Sequence, residues 1–187
     1  INALINRSVC FNKLNNYNDA IKDCEKIIKL DPKFASAYNN LGWAYHIKGN
    51  NEKAITNYKI ALELQPNYLD TINNLGGAYF NLGDKKLAAE YFKKSLEIDP
   101  QNTETFRSLV LNKGIDIKDI RVSQFSNLYA ENEKKLESYK HKPIPKNFID
   151  SHSSLCFALG YLNDNEKNYK KASIYFERGN QLYRSSY

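Results

Sequence analysis

The sequence predicts an all-α fold, a right-handed superhelical solenoid of about five antiparallel helix pairs. The first observation is a period: Asp31-Pro32, Gln65-Pro66 and Asp99-Pro100 stand 34 residues apart, each after a run rich in Lys, Leu and Ile. The second observation is that small and aromatic residues recur in phase with this period. A fixed period of this length is typical of stacked helix–turn–helix units.

Four registers carry the in-phase residues. They are Asn6, Asn40 and Asn74; Phe11, Tyr45 and Tyr79; Ala20, Ala54 and Ala88; and Gly42 with Gly76. The alanines and these glycines are typical of places where two helices come close, so we interpret them as structural. Gly49 and Gly83 follow the first helix of their repeats, where a left-handed cap residue is expected.

The chain divides into three predicted segments. Residues 1–102 form three regular repeats, and residues 103–146 form an irregular helical repeat or insertion with a long helix from about Arg121 to Tyr139. Residues 147–187 form a variant helix pair. The stretch Lys140 to Pro145 is expected to break helix, because it holds two prolines.

Composition and charge favour neither a nucleic-acid partner nor a membrane. The net charge of +6 is spread along the chain. The stripe Lys22, Lys26, Lys29 and Lys33 is interleaved with acidic residues, so we interpret it as a solvated convex face. No apolar run is long enough to span a membrane. Ile at position 1 and the absence of Met suggest that the native start is missing.

The three cysteines are too few and too scattered for a disulfide framework or a zinc site. We interpret Cys10 and Cys24 as buried free thiols, which suits a reducing compartment and predicts a cytoplasmic protein. His46, His141 and His152 show no metal-ligand spacing, and neither a glycine-rich phosphate loop nor a nucleophile elbow occurs. The sequence therefore predicts no catalytic residue, no cofactor and no metal in this segment.

The candidate site is a concave groove formed by the first helices of successive repeats. The residues expected to contact a ligand there are Asn6, Asn39, Asn40, Trp43, His46, Asn73, Asn74, Phe80 and Ser108. An Asn amide offers both a donor and an acceptor, so the in-phase asparagines would hold the backbone of an extended peptide. Trp43 and Phe80 would supply an anchor pocket.

Structural alternatives exist for each of these residues. Asparagine is abundant throughout the chain, and the amides would serve equally well to join neighbouring repeats. Trp43 is as well suited to packing between repeats as to anchoring a ligand, and His46 fits a plain surface histidine.

The in-phase residues resemble the tetratricopeptide-repeat (TPR) signature. The second copy reads Tyr38, Leu41-Gly42, Tyr45, Ala54, Tyr58, Ala61 and Pro66. The resemblance implies a solenoid whose concave face binds a protein or peptide, which is the function that we expect.

The last segment adds a second resemblance. Phe157-Ala158-Leu159-Gly160, Tyr169 to Ala172 and Phe176 to Leu182 resemble the last repeat of bacterial proteins in which TPRs precede a sulfotransferase domain. It implies an alternative function, a substrate-recruiting region whose catalytic domain lies beyond residue 187, so the whole protein is a possible enzyme. A lesser alternative is a self-association module.

Chaperone-binding repeats differ from this chain at the residues that clamp a terminal carboxylate. They need Lys and Asn where this chain has Ile5 and Val9, an Asn at Asn40, and Lys and Arg at Asp70 and Asn74. Only Asn40 fits, and Asp70 would repel a carboxylate. An adaptor for chaperone tails is therefore not expected.

Overall fold

The computed structural model describes residues 1–139 and 142–185, and over these ranges the chain forms ten α-helices and no β-strand. The all-α prediction is confirmed. The helices are α1 (Asn2–Lys13), α2 (Tyr17–Leu30), α3 (Ala35–Ile47), α4 (Asn51–Leu64), α5 (Leu69–Leu82), α6 (Lys85–Ile98), α7 (Thr103–Leu111), α8 (Ile120–Glu137), α9 (Lys146–Asn165) and α10 (Tyr169–Ser185).

The helices group into two compact units, Ile1–Ile98 and a second unit from Asp99 onward. In the first unit every helix packs on the next, and the first helices of the repeats also contact one another, α1 with α3 and α3 with α5. The turns within each helix pair are only two or three residues long. Short turns make consecutive helices antiparallel, so α1, α3 and α5 run parallel to one another on one side of the unit.

A glycine and an aromatic ring join the two helices of a repeat. A Cβ atom on Gly42 would lie 2.6 Å from the ring of Tyr58, and one on Gly76 would lie 2.7 Å from the ring of Phe92. Such distances leave no room for any side chain. The prediction that the glycine register marks a close approach of two helices is confirmed.

The first repeat fills the same contact with a different pair. Ser8 stands at the register of Gly42, and Cys24 stands at that of Tyr58; both are fully buried. The larger residue on α1 is matched by a smaller one on α2, so the contact keeps its volume. Burial raises the pKa of the Cys24 thiol to about 11, which keeps it neutral.

The left-handed residue after each first helix is present in all three repeats. Gly49 and Gly83 have φ angles of 81° and 84°, as predicted, and Asn15 takes this position in the first repeat with a φ of 60°. Asparagine is one of the few residues with a side chain that tolerates this conformation.

The prediction that Cys10 is buried is wrong, because its side chain is exposed. Cys10 shares its register with Ala44 and Ala78, which are fully buried. Ala44 lies on α3 and Ala78 on α5, and each of these helices packs against the helix that precedes it, α2 and α4 respectively. Among the described residues no helix precedes α1, and there the same register is exposed.

In the second unit, α9 packs against α7, α8 and α10. Stacked rings of Phe106 and Phe125, 3.9 Å between centroids, connect α7 to α8. The α9–α10 pair repeats the glycine contact, since a Cβ on Gly160 would lie 2.6 Å from the ring of Phe176. Of the stretch predicted to break helix, Lys140 and His141 lie outside the described residues, and α9 begins at Lys146.

Candidate functional site

A groove lies along the side of the first unit where α1, α3 and α5 run parallel. Its cavity volume is about 700 Å³. The residues that line it come from these three helices, from the turn after α1 and from the first residue of α2. They are Val9, Asn12, Lys13, Asn15, Tyr17, Asn39, Asn40, Trp43, Ile47, Asp70, Asn73 and Asn74.

Asn39 is the hub of a hydrogen-bond network beneath this surface. Its side-chain oxygen accepts from Thr71 Oγ1 at 3.0 Å and from Asn74 Nδ2 at 3.1 Å. Its Nδ2 donates to Asn40 Oδ1 at 3.4 Å. Asn39 is only 6% exposed, so its amide connects α3 to α5. This arrangement corresponds to the structural alternative for Asn39.

Asn40 and Asn74 are the two members of the Asn6, Asn40 and Asn74 register that line the groove. Both are half-buried, and no hydrogen bond leaves Asn40 Nδ2 within the described part of the chain. Asn74 uses one N–H on Asn39, which leaves its carbonyl oxygen for another donor. Asn6 is exposed on α1 and is not among the lining residues.

The remaining predicted contacts are divided between the groove and other places. Asn73 and Trp43 line the groove, and Trp43 is 37% exposed. His46 and Phe80 are not among the lining residues, so the structure does not place Phe80 with Trp43 in one anchor pocket. Ser108 is half-buried on α7 in the second unit.

His46 is held between two neighbours. Its ring lies 6.0 Å from that of Trp43, and its Nε2 is 3.4 Å from Asn81 Nδ2 on α5. Burial lowers the pKa of His46, which favours the neutral imidazole. Through its contact with Asn81, the ring connects α3 to α5.

The turn after α1 and the start of α2 add two groove residues that the registers of the first helices did not predict. Tyr17 donates its hydroxyl to Asn15 Oδ1 at 2.6 Å, and both residues line the groove. The signal was available, because Asn15 shares its register with the left-handed Gly49 and Gly83. At those two glycines the same surface carries no side chain.

Asn12 contributes an unsatisfied acceptor to the groove lining. It is 8% exposed, its Nδ2 donates to the backbone oxygen of Asn40 at 3.4 Å, and its Oδ1 is buried without a partner among the described residues. A buried acceptor without a donor costs about 1–3 kcal/mol. This oxygen lies beneath the groove surface, so the groups that remain open to a ligand are those of Asn40 and Asn74.

A second polar cluster connects three helices of the second unit. Arg178 on α10 donates from Nε and Nη2 to the two carboxylate oxygens of Glu133 on α8 at 2.9–3.1 Å. His152 on α9, fully buried, shares a 2.7 Å hydrogen bond with Glu133 Oε1, and Asn132 Nδ2 lies 3.4 Å from its Nδ1.

The pKa shifts of Glu133 and His152 indicate that this cluster holds the helices of the second unit together. Burial acts to raise the pKa of Glu133, but its hydrogen bonds with Arg178 and His152 outweigh that and lower it. Burial lowers the pKa of His152. The neutral tautomer with a proton on Nε2 satisfies both ring nitrogens, donating to Glu133 and accepting from Asn132. The cluster thus uses its donors and acceptors internally.

Within the described ranges there is no group of three or more His, Cys, Asp or Glu side chains arranged to hold a metal ion. None of the described helices is both long enough and apolar enough to cross a membrane.

Family models described as "Tetratricopeptide repeat" match residues 1–34, 33–101 and 153–186. Small glutamine-rich tetratricopeptide repeat-containing protein 2 of Saccharomyces cerevisiae is 36% identical over 50 residues, which are 27% of this chain and 14% of that protein. Heat shock protein STI1 of the same organism is 41% identical over 49 residues, 26% of this chain and 8% of that protein. The matches thus cover a small part of these relatives' lengths.

Solved structures support the same fold. The MamA RS-1 double mutant superposes with a TM-score of 0.66 at 16% identity, covering 98% of this chain and 94% of that one. The first TPR of Spaghetti (RPAP3), bound to an HSP90 peptide, gives 0.58 at 23% identity, covering 59% and 88%. The second TPR domain of human RPAP3, in complex with an HSP70 peptide, gives 0.55 at 26% identity, covering 58% and 90%. Residues 1–101 and 153–186 of this chain are therefore tetratricopeptide repeats, and its all-α fold is that of this family.

Proposed function

We propose that the first unit is a scaffold that binds an extended peptide in the groove along α1, α3 and α5. The observation that carries the proposal is the lining itself: a cavity of about 700 Å³ in which side-chain amides surround a partly exposed tryptophan. Amides match the donors and acceptors of a peptide backbone, and an aromatic side chain provides apolar contact area.

The spacing of the amides suits an extended chain. Adjacent parallel first helices are about 10 Å apart, and an extended peptide advances about 3.3 Å per residue. The amides of Asn40 and Asn74 would therefore meet about every third residue of the ligand. Asn40 offers an N–H, and Asn74 offers a carbonyl oxygen. These groups bind backbone atoms and thus discriminate little between ligand sequences.

Trp43 is the proposed anchor. Its exposed ring surface lies in the groove, and Val9 and Ile47 also line it. An apolar ligand side chain would remove this surface from water, which contributes roughly 25 cal/mol per Å² buried. Phe80 does not line the groove, so Trp43 carries this role with aliphatic neighbours.

The similar structures give partial support. Two RPAP3 repeat domains are solved with peptides of HSP90 and HSP70, so this fold is able to hold a peptide. The carboxylate clamp of chaperone-binding repeats is not reproduced here, because Ile5, Val9 and Asp70 occupy registers that need polar or basic residues. We therefore assign this groove to peptides other than chaperone tails.

The test is retention of a peptide pool on the immobilised chain. Acetylated and amidated random peptides of about nine residues are applied, and the bound fraction is identified by mass spectrometry. The Asn40→Ala/Trp43→Ala variant is expected to retain at least tenfold less peptide. Asn57→Ala, on α4 outside the groove, is the matched control and should retain as much as wild type. Equal retention by all three proteins would refute the proposal.

The other functions expected from the sequence stay predictions. None of the relatives named above is a sulfotransferase. We assign this segment binding rather than catalysis, because stacked repeats of this kind present extended concave binding surfaces. The cytoplasmic location also stays a prediction.

A further inference from the structure

We propose that the groove selects an internal peptide segment with an apolar residue at its centre and side chains of opposite charge near its two ends. This inference rests on the proposed function and names the class of ligand for the same groove. It follows from where the two charged residues of the lining, Lys13 and Asp70, stand relative to Trp43.

The two charges lie at diagonally opposite corners of the groove. Lys13 is the last residue of α1, and Asp70 is the second residue of α5. Two contacts within two residues of matching registers, Asn39 with Thr71 and His46 with Asn81, show that α3 and α5 run in the same direction. The ends of α1 and α5 that carry Lys13 and Asp70 are therefore opposite ends.

The length of this diagonal sets the length of the segment. The corners are about 16 Å apart along the helix axes, at 1.5 Å per residue, and two helix spacings of about 9–10 Å apart across them. The diagonal is then about 25 Å, which an extended chain of about eight residues spans. Trp43, on the middle helix α3, lies between the corners and would contact the centre of the segment.

Both charges are available to a ligand. Lys13 and Asp70 are exposed, and neither forms an ion pair with another described residue. Elsewhere in this unit Lys22 pairs with Asp19, and Arg7 pairs with Asp23. A basic ligand side chain fits the Asp70 corner and an acidic one fits the Lys13 corner.

The same charges favour an internal segment over a chain terminus. A terminal carboxylate needs several cationic or amide donors at one place. Lys13 is the one cation in the groove lining, and the opposite corner holds a carboxylate. A terminal ammonium would meet a single carboxylate, Asp70. A segment whose backbone continues in both directions uses the amides and leaves the corners to side chains.

The experiment uses four matched peptides with blocked ends, a central Leu in a Ser/Ala background, and a length of about nine residues. Their end residues are Asp and Lys, Lys and Asp, Lys and Lys, or Asp and Asp. Binding to the full chain at low salt is followed by the fluorescence of Trp43, the single tryptophan. We expect the opposite-charge peptides to bind about threefold to tenfold more tightly than the same-charge ones, as exposed ion pairs allow.

Reversing the charge of one groove residue at a time is the decisive part of the experiment. Asp70→Lys should shift the preference to the Asp/Asp peptide, and Lys13→Glu should shift it to the Lys/Lys peptide. Glu63→Lys, on exposed α4 surface outside the groove, is the control and should leave the order unchanged. A fifth peptide with a free C-terminal carboxylate should bind no better than its blocked form.

The outcomes separate this inference from the function on which it rests. If all four peptides bind with equal affinity, or if Asp70→Lys leaves their order unchanged, the groove binds peptide without this charge selection and the inference is wrong. If none of the peptides binds and the random pool is retained equally by the groove variants, the proposed function itself fails. Tighter binding of the free carboxylate would indicate recognition of a chain terminus instead.

Discussion

The two units of the chain hold their helices together by different means. The first unit repeats one helix contact between a small residue and a larger one, seen at Ser8 with Cys24, Gly42 with Tyr58 and Gly76 with Phe92. The second unit has that contact between α9 and α10, at Gly160 with Phe176, and joins α8 to this pair through Glu133.

The difference shows what a repeat can and cannot supply. A regular register positions each helix on its neighbour by shape alone, because every copy presents the same contact. The helices α7 and α8 do not follow the 34-residue repeat, so their positions depend on individual side-chain contacts. An ion pair and a buried histidine then fix α8 on α9 and α10, with the strict geometry that a partly buried charge requires.

The largest expected effect on stability comes from removing Glu133, which binds Arg178 and His152 in the second unit. Glu133→Ala leaves the Arg178 guanidinium and the buried His152 without their partner, and we expect a loss of about 3 kcal/mol in unfolding free energy. The loss of helix content, followed by circular dichroism, should then begin at a lower urea concentration than the change in Trp43 fluorescence. That fluorescence reports unfolding of the first unit. Glu131→Ala, on the exposed side of α8, is the control. A midpoint equal to that of the control would mean that the network contributes nothing.

The next effect tests the repeated helix contact. Gly76→Ala places a methyl group 2.7 Å from the Phe92 ring, and overpacking of this kind costs roughly 1–3 kcal/mol. Gly77→Ala is a matched control on the same helix turn, because a Cβ there meets nothing within 4 Å. It should stabilise α5 by up to about 1 kcal/mol. Urea unfolding of both variants measures the difference, and a loss at Gly77 as large as that at Gly76 would contradict the packing argument.

A smaller effect separates the two roles of groove asparagines. Asn39→Ala removes the acceptor of Thr71 and Asn74, and the buried Thr71 hydroxyl is then left unpaired, so we expect a loss of about 1–2 kcal/mol. Asn40→Ala removes only the long 3.4 Å bond that Asn40 Oδ1 accepts from Asn39, so we expect a smaller loss of about 0.5 kcal/mol. Thermal unfolding measures both. Equal losses at the two positions would show that Asn40 is also needed to hold the repeats together.

The smallest effect is a dependence of stability on pH. Burial lowers the pKa of His152 below its ordinary value of 6.5, so the unfolded chain takes up the proton first as the pH falls. The contribution of His152 to the free energy of unfolding is fully present above pH 6.5, and it declines as the pH falls toward the lowered pKa. Urea midpoints between about pH 8 and 5.5 should fall less steeply for His152→Gln than for wild type. The half-buried His46, whose pKa is also lowered, provides a comparison in the first unit through His46→Gln.

The periodic part of the molecule was predictable from sequence, because each of its structural rules recurs. The 34-residue period predicted the helix pairs, the glycine contacts and the left-handed Gly49 and Gly83. The register also brought Asn40 and Trp43 into one groove. These features depend on residues within one copy or on the next copy along the chain.

The remaining features depend on contacts that no period encodes. Glu133 meets Arg178 across 45 residues of sequence, and the spacing of these residues carries no signal. Cys10 is exposed although the other members of its register, Ala44 and Ala78, are buried. Asn39 and Asn40 are neighbours in α3, but the amide of Asn39 faces α5, where it accepts a hydrogen bond from Thr71. Register analysis places such neighbours together on one face and cannot assign one to the ligand and the other to the fold.

The most direct test of the groove is to map a retained peptide onto the protein. Backbone amide resonances of the isotope-labelled full chain are recorded while a peptide selected from the random pool is added. We expect chemical-shift changes of the backbone amides at Val9–Lys13, Asn39–Ile47 and Asp70–Asn74. These changes should saturate at the same peptide concentration as the change in Trp43 fluorescence. Shifts confined to α2, α4 and α6, or to the second unit, would contradict it.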